Sequence, residues 1–128
     1  MSDPRHVIAR KALGQHFLHD EGILERIGAL AAPEAGSGIV EIGPGTGNLT
    51  AHLLTHGCKL IAIERDQRLP AVLVERFGDQ VEVMRADATK VDYASLLGRE
   101  DLGPAPVVVG NLPYNVGTEI LFRTLDSA

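Results

Sequence analysis

The sequence predicts an α/β domain built on a parallel sheet of about four strands, and three observations predict it. Short apolar runs alternate with amphipathic stretches along most of the 128 residues. The fourth run, Pro106–Val109, carries no polar residue, as expected of a strand covered on both faces. No low-complexity tract or internal repeat interrupts the alternation, so right-handed crossovers between neighbouring parallel strands are the expected connections.

The elements follow in order. After a polar N-terminal arm over residues 1–19, Asp20 can cap a helix with the apolar stripe Ile23, Leu24, Ile27 and Leu30. Pro33 and Gly36-Ser37-Gly38 end it. Ile39–Ile42 reads as the first strand, followed by a glycine loop and a helix from about Asn48 to His56, stopped by Gly57. Leu60–Ile63 is the second strand. A helix from near Leu69 to Phe77 accepts Pro70 in its first turn, with Gly78 behind it. Val81–Met84 is the third strand, Tyr93–Leu97 a short helix and Pro106–Val109 the fourth strand. Thr118 is placed to cap a last helix carrying Ile120, Leu121 and Leu125. Residues 20–128 therefore read as one domain, and as part of one, because four strands are few for a doubly wound sheet. The outer edge of the fourth strand is expected to lack a partner, which favours pairing with a second copy or aggregation.

Bulk properties narrow the function classes. Apolar residues at 45% and charged residues at 23% are globular values. The net charge of −5 is unsuited to a self-sufficient nucleic-acid binder, whose affinity is largely electrostatic. Only the arm is locally basic, with Arg5, Arg10 and Lys11 against Asp3. No apolar run approaches the roughly 20 residues that span a bilayer, and the polar start lacks a signal-peptide core, so no membrane partner is expected. The single cysteine, Cys58, excludes an internal disulfide and fits a reducing, cytoplasmic setting.

The strongest local pattern is Val40-Glu41-Ile42-Gly43-Pro44-Gly45-Thr46-Gly47-Asn48-Leu49. Glycines at 43, 45 and 47 stand between a strand and a helix, where backbone approaches a ligand without a Cβ in the way. A dinucleotide fingerprint would place its third glycine at 48, where Asn48 stands. Gly-x-Gly-x-Gly preceded by the acid Glu41 is instead similar to the loop of S-adenosylmethionine methyltransferases, which wraps a methionine portion rather than a pyrophosphate. Glu64 closes the second strand, and a carboxylate there can accept both hydroxyls of a ribose. Asp87, with Ala88, follows the third strand and can accept an adenine amino group while a neighbouring backbone N–H donates to the ring. Each acid alone would pass as a solvated loop residue. Three such features at the ends of successive strands mark the ligand-binding edge of an open α/β sheet.

The fourth strand runs into Gly110-Asn111-Leu112-Pro113-Tyr114-Asn115. The exocyclic amine of adenine is a poor nucleophile because its lone pair is delocalised into the ring. Hydrogen-bond acceptors on its protons draw the nitrogen towards a tetrahedral shape. Asn111 offers a side-chain oxygen and Leu112 a carbonyl. Pro113 is expected to stiffen a turn that aims them, and Tyr114 offers an aromatic face for a flipped base.

Taken together these motifs resemble the ribosomal RNA adenine dimethyltransferases. Lys11-Ala12-Leu13-Gly14-Gln15-His16-Phe17-Leu18 is similar to that family's opening signature, and Val40–Gly47, Glu64, Asp87-Ala88 and Gly110–Asn115 follow in its order. The resemblance implies a Rossmann-like, S-adenosylmethionine-dependent methyltransferase domain of which this chain is the N-terminal part. It implies N6,N6-dimethylation of two adjacent adenosines in small-subunit ribosomal RNA, acting on the immature subunit during ribosome biogenesis. It further implies that Gln15, His16 and Leu18 fold over the cofactor and that Gly43, Glu64, Asp87 and Asn111 line its site. More strands and a small helical RNA-contacting domain are expected beyond these residues, and this chain alone is expected to bind cofactor with little turnover. Methylation of large-subunit ribosomal RNA, of DNA adenine or of a protein amide remains open, as does a non-enzymatic role in ribosome assembly. His52 and His56 have the spacing of a metal pair but no glutamate or third ligand in support, and read as helix-surface residues with no metal. Cys58 reads as a small buried apolar group.

Overall fold

The structure, a computed structural model, describes residues 7–11, 21–114 and 117–124, with side chains described for 21–110. Strands are β1 (Val7–Lys11), β2 (Ile39–Ile42), β3 (Leu60–Glu64), β4 (Glu82–Arg85), β5 (Val107–Tyr114) and β6 (Gly117–Thr124). Helices are α1 (Glu21–Leu30), α2 (Asn48–Leu53), α3 (Leu69–Phe77) and α4 (Tyr93–Leu97), with short 3-10 turns after α2 and α3. The described strands form one sheet in the order β1-β6-β5-β2-β3-β4. Its β5-β2-β3-β4 portion is parallel, and β6 and β1 add antiparallel to β5.

The parallel strands are short and rich in Ile and Val, and their period of two divides the interior into two cores. Ile39, Leu60, Ala62, Val107 and Val109 face one side with Leu24, Ile27 and Ala31 of the α1 region and Leu49 and Leu53 of α2. Val40, Ile61, Ile63 and Val108 face the other with Leu96 of α4 and Leu102. Every residue of β3 is buried, the expected condition of a central parallel strand. The stripe of α1 is narrower than its sequence suggests: Leu24 and Ile27 are buried, while Leu30 is 65% exposed. Gly28 takes the contact position instead, where an added Cβ would lie 2.8 Å from Cβ of His52. The two helices are also stitched by polar bonds. His52 Nε2 lies 2.9 Å from Glu21 Oε2, and His56 Nε2 lies 2.7 Å from the Gly28 carbonyl.

Three sequence expectations need correction. The segment from Thr118 to Leu121 is not helical but lies in β6, paired from Val107↔Thr124 to Tyr114↔Gly117. The outer edge of β5 is therefore not bare, and the ground for self-association through it is removed. The backbone donors and acceptors along that edge need partners, and β6 supplies them, with β1 covering β6 in turn. Asn111, Leu112, Pro113 and Tyr114 continue β5 rather than forming a turn. Proline is tolerated there because β2 pairs with β5 only as far as Gly110, leaving one side of the strand without a ladder. Among the described residues, no helix is long and apolar enough to cross a membrane.

At the free edge of β4, Glu82 accepts two bonds from Arg99, 2.7 and 3.0 Å long, and pairs with Lys59 at 3.0 Å. Asp101 joins through Arg99 at 2.7 Å. The Arg99 guanidinium, with Lys59 helping, holds the Glu82 carboxyl down at about 2 against an ordinary 4.5. A depressed acid contributes stability above its unfolded pKa and loses it as pH falls through the folded one. We therefore expect Glu82→Gln to flatten part of the acid-unfolding limb between about pH 4.5 and about 2. Urea unfolding midpoints for both proteins across that range provide the check, and parallel curves would contradict it.

Candidate functional site

Register assembles one rim of the sheet. Ile42 of β2 lies opposite Ile63 of β3 and Gly110 of β5, and Glu64 lies opposite Arg85 of β4. The ladder runs one step further, because Gly43 N donates to the Ile63 carbonyl at 2.9 Å and Ala86 N to the Glu64 carbonyl at 3.1 Å. The carboxyl ends of β2, β3 and β4 thus lie together beside Gly110 and Asn111 of β5, which itself runs on to Tyr114. Gly43, Glu64, Ala86 and the start of Asn111 stand side by side in the backbone. Gln15, His16 and Leu18 lie outside the described residues, as do the side chains of Asn111, Leu112, Pro113 and Tyr114.

The loop after β2 turns on left-handed glycines, with φ of 69° at Gly43, 60° at Gly45 and 96° at Gly47. Two of these matter most. At Gly45 an added Cβ would meet nothing within 4 Å, so the loop faces open space there. At Gly47 it would come within 2.5 Å of the Phe77 ring and 3.2 Å of Leu73, so the loop closes tightly on α3. Any side chain at 47 would carry both that clash and the cost of a left-handed backbone.

Glu64 is 9% exposed, and its two oxygens face different neighbours. Oε1 accepts from Gly45 N at 3.3 Å, and Oε2 accepts from Asp66 N at 2.9 Å. This carboxylate therefore touches the glycine loop and the turn after β3 at once. Asp87 caps the turn after β4, and its Oδ1 accepts from Thr89 N at 2.9 Å and from Thr89 Oγ1 at 2.7 Å. These bonds, followed by the Arg65 and Lys90 charges, hold its carboxyl below the usual range, so it is an acceptor at neutral pH. The Ala88 carbonyl takes the Tyr93 hydroxyl at 2.6 Å, which fixes the peptide beside Asp87. An open groove of about 510 Å³ lined by Met84, Ala86, Asp87 and Val91 adjoins this corner.

Glu41 lies behind the loop, 1% exposed, on the α2 side of the sheet. Thr50 Oγ1 donates to its Oε1 at 2.6 Å, and among the described residues Oε2 has no partner. Burial pushes the carboxyl up to about 7; the Thr50 bond works against that shift and the Glu64 charge adds to it. A second cavity, of about 330 Å³, opens at the opposite edge of the sheet among Pro33, Gly36, His56, Cys58, Lys59 and Asp101. There Lys59 pairs with Glu82 and Asp101, and His56 is bonded to Gly28. Internal partners thus engage those groups, whereas the rim carries the unpaired Glu41 oxygen and the open loop. Burial also raises the Cys58 thiol above its ordinary value, in keeping with an inert, half-buried group.

The rim suits a positively charged nucleoside ligand with an amino-acid tail: an open glycine loop, a carboxylate at a strand end and an acceptor beyond the next strand. S-adenosylmethionine is such a ligand, and the residues present fit it. Sequence reasoning missed Thr50, Arg76 and Tyr93, which position these groups. Thr50, one turn into a helix behind an acid-bearing strand, was the one legible signal among them.

A carboxyl raised from 4.5 to about 7 holds a proton in the folded chain across that interval. Its contribution is complete below the unfolded pKa and lost as pH rises through the folded one. Glu41→Gln keeps an acceptor for Thr50 and has no charge to bury. We expect near-equal stability of the two proteins at pH 4 and a gain of roughly 2–3 kcal/mol for the variant at pH 8, read from urea unfolding. Identical pH slopes for the two would contradict the burial argument.

The chain is similar in sequence and in fold to known ribosomal RNA methyltransferases. A "Ribosomal RNA small subunit methyltransferase A" of Anaeromyxobacter sp. (strain K) is 45% identical over 124 residues, covering 92% of this chain and 44% of the relative. The protein of that name from Sphingopyxis alaskensis is 46% identical over 123 residues, covering 94% of this chain and 44% of its own length. The chain thus spans less than half the length of these relatives. An RNA methyltransferase from Salinibacter ruber, solved in complex with S-adenosyl-L-homocysteine, superposes with TM-score 0.56 at 19% identity, over 85% of this chain and 94% of that one. A dimethyladenosine transferase from Plasmodium falciparum gives 0.54 at 17% identity, over 84% of this chain and 62% of that one. These structures share the Rossmann-like methyltransferase fold. The profile of the family described as "Ribosomal RNA adenine dimethylase" matches residues 7–128, and the chain belongs to that family.

Proposed function

We propose that this chain is the cofactor-binding part of an S-adenosylmethionine-dependent methyltransferase that dimethylates N6 of two adjacent adenosines in small-subunit ribosomal RNA. The observation that carries the reading is the meeting of the open glycine loop with the Glu64 carboxylate, through Gly45 N at 3.3 Å, at the shared carboxyl ends of the parallel strands. Gly43, Gly45 and Gly47 wrap the methionine portion, with Glu41 behind them. Glu64 accepts the ribose hydroxyls, and Asp87 with the Ala88 peptide reads the adenine. Gln15, His16 and Leu18 cover the cofactor from the arm.

S-adenosylmethionine supplies a methyl group already activated on a positively charged sulfonium. The chain's own task is to present the target amine. The Asn111 amide oxygen and the Leu112 carbonyl accept hydrogen bonds from its N–H groups, which raises nitrogen lone-pair density where the methyl must arrive. Pro113 restricts the backbone beside them, and Tyr114 stacks on the flipped base. After transfer the nitrogen sheds one proton to water, so no ionised general base is required. The net charge of −5 gives this chain little hold on RNA, so binding of cofactor with low turnover is expected of it alone. The immature small subunit in the cytoplasm is the proposed site of action.

Calorimetric titration with S-adenosyl-L-homocysteine tests the cofactor half. We expect saturable binding by the chain and at least a tenfold loss for Glu64→Ala, which forfeits hydrogen bonds to a charged acceptor. A folded sample that gives no binding heat would overturn the reading. For the chemical half, Asn111→Ala is expected to keep S-adenosyl-L-homocysteine binding while taking the chain's low methyl incorporation into immature small subunits down to background. Retained incorporation would remove Asn111 from the chemistry.

A further inference from the structure

We propose that Arg76 is a positioning residue for cofactor binding, holding the glycine loop from behind in the shape that receives the ligand. The proposal rests on the reading of that loop as a cofactor site. Arg76 stands in the last turn of α3, thirty residues beyond the loop. Its Nη1 donates to the Thr46 carbonyl at 3.0 Å and to Asn48 Oδ1 at 3.1 Å. The guanidinium carbon lies 5.0 Å from the centre of the neighbouring Phe77 ring. That ring is the surface on which Gly47 closes. One end of α3 therefore grips the last two loop residues, Thr46 and Gly47, and the first residue of α2, Asn48, two of the three by a charged donor and one by packing.

The arrangement matters because of what else holds the loop. Gly43 N is tied to β3 and Gly47 N closes on the Pro44 carbonyl at 3.0 Å, so both ends are anchored in backbone. The middle is held differently. Gly45 N reaches Glu64 Oε1 at 3.3 Å, a long bond whose acceptor is the group proposed to take the ribose. A ligand that engages Glu64 competes with that tie. The Arg76 bonds use the Thr46 carbonyl and the Asn48 side-chain oxygen, so a ligand on Glu64 does not compete for them. A guanidinium is suited to the task, since Nη1 carries an N–H for each of the two acceptors while the planar group lies over a ring. Thr46 is exposed, and its carbonyl would otherwise face only water.

The test compares the chain with Arg76→Met and Arg76→Lys, using S-adenosyl-L-homocysteine as the probe. Three quantities are read: the dissociation constant, amide hydrogen exchange at Gly45, Thr46 and Gly47 in the free chain, and the thermal midpoint. We expect Arg76→Met to bind about three- to tenfold more weakly and to exchange faster at those amides by a similar factor. Its midpoint should stay within about 2 °C of the parent, because Arg76 is exposed and outside the core. Arg76→Lys, which keeps a charged donor but loses the planar group over Phe77, should fall between the two. Unchanged affinity and unchanged loop exchange in Arg76→Met would overturn the proposal. So would a loss of binding matched by a large fall in midpoint in both variants, which marks a merely structural role. Weakening that disappears when salt is raised would also overturn it, by assigning the effect to charge. Should Arg76→Met fail to fold, Arg76→Gln is read against the same criteria. Absence of binding by the parent chain itself is a separate outcome: it refutes the cofactor-site reading, and this proposal with it.

Discussion

The parallel register of β2 between β3 and β5 is the constraint on which the rest depends. With Ile42 opposite both Ile63 and Gly110, β2 and β3 end level with the Gly110-Asn111 step of β5. The loop glycines, Glu64 and the Asn111 backbone then become neighbours although 21 and 68 residues separate Gly43 from the other two. A slip of one residue would turn every side chain to the other face. Glu41 would leave Thr50 for the α4 core, and Glu64 would leave the loop. Register is protected against this by the fully buried β3, whose Leu60 and Ala62 face one core and Ile61 and Ile63 the other.

Much of this was legible in the residues, and the reasons differ by element. Both ends of α3 are written locally, by Pro70 in the first turn and Gly78 behind the last, and the helix is found at Leu69–Phe77. α4 likewise starts at its Asp92 cap, whose side chain accepts from Ser95 N. The third parallel strand is displaced by one residue to Glu82–Arg85, because Val81 packs as core while Glu82 carries the ladder and the Arg99 pair. The segment 117–124 misled because Thr118 followed by paired apolar residues suits a helix start as well as a strand. What decided it was the open edge of β5, the strand just before it, on which the segment folds back with Gly117 opposite Tyr114. Pro113 misled for the same reason, since a proline argues for a turn until one side of the strand is known to be unpaired.

The site divides along similar lines. Gly43, Gly45, Gly47, Glu64 and Asp87 stand out because each sits at a strand end with a residue type that ligands require. Thr50, Arg76 and Tyr93 do not, because their importance lies in what they touch after folding: a buried acid, the back of the loop and the Ala88 carbonyl. The rim also keeps features that a purely structural sheet end would shed. A carboxyl with an unpaired buried oxygen and a loop with three left-handed glycines both oppose stability. They stand together at the carboxyl edge of the parallel strands, where the proposed ligand would be held.

The most direct test of that convergence is a titration of isotopically labelled chain with S-adenosyl-L-homocysteine, following every backbone amide. The account predicts that the largest shifts cluster at residues 43–47, 64–66 and 86–88 and saturate together with one affinity. Shifts confined to residues 33–37 and 56–59, at the cavity on the opposite edge, would contradict it, as would separate affinities for the three segments.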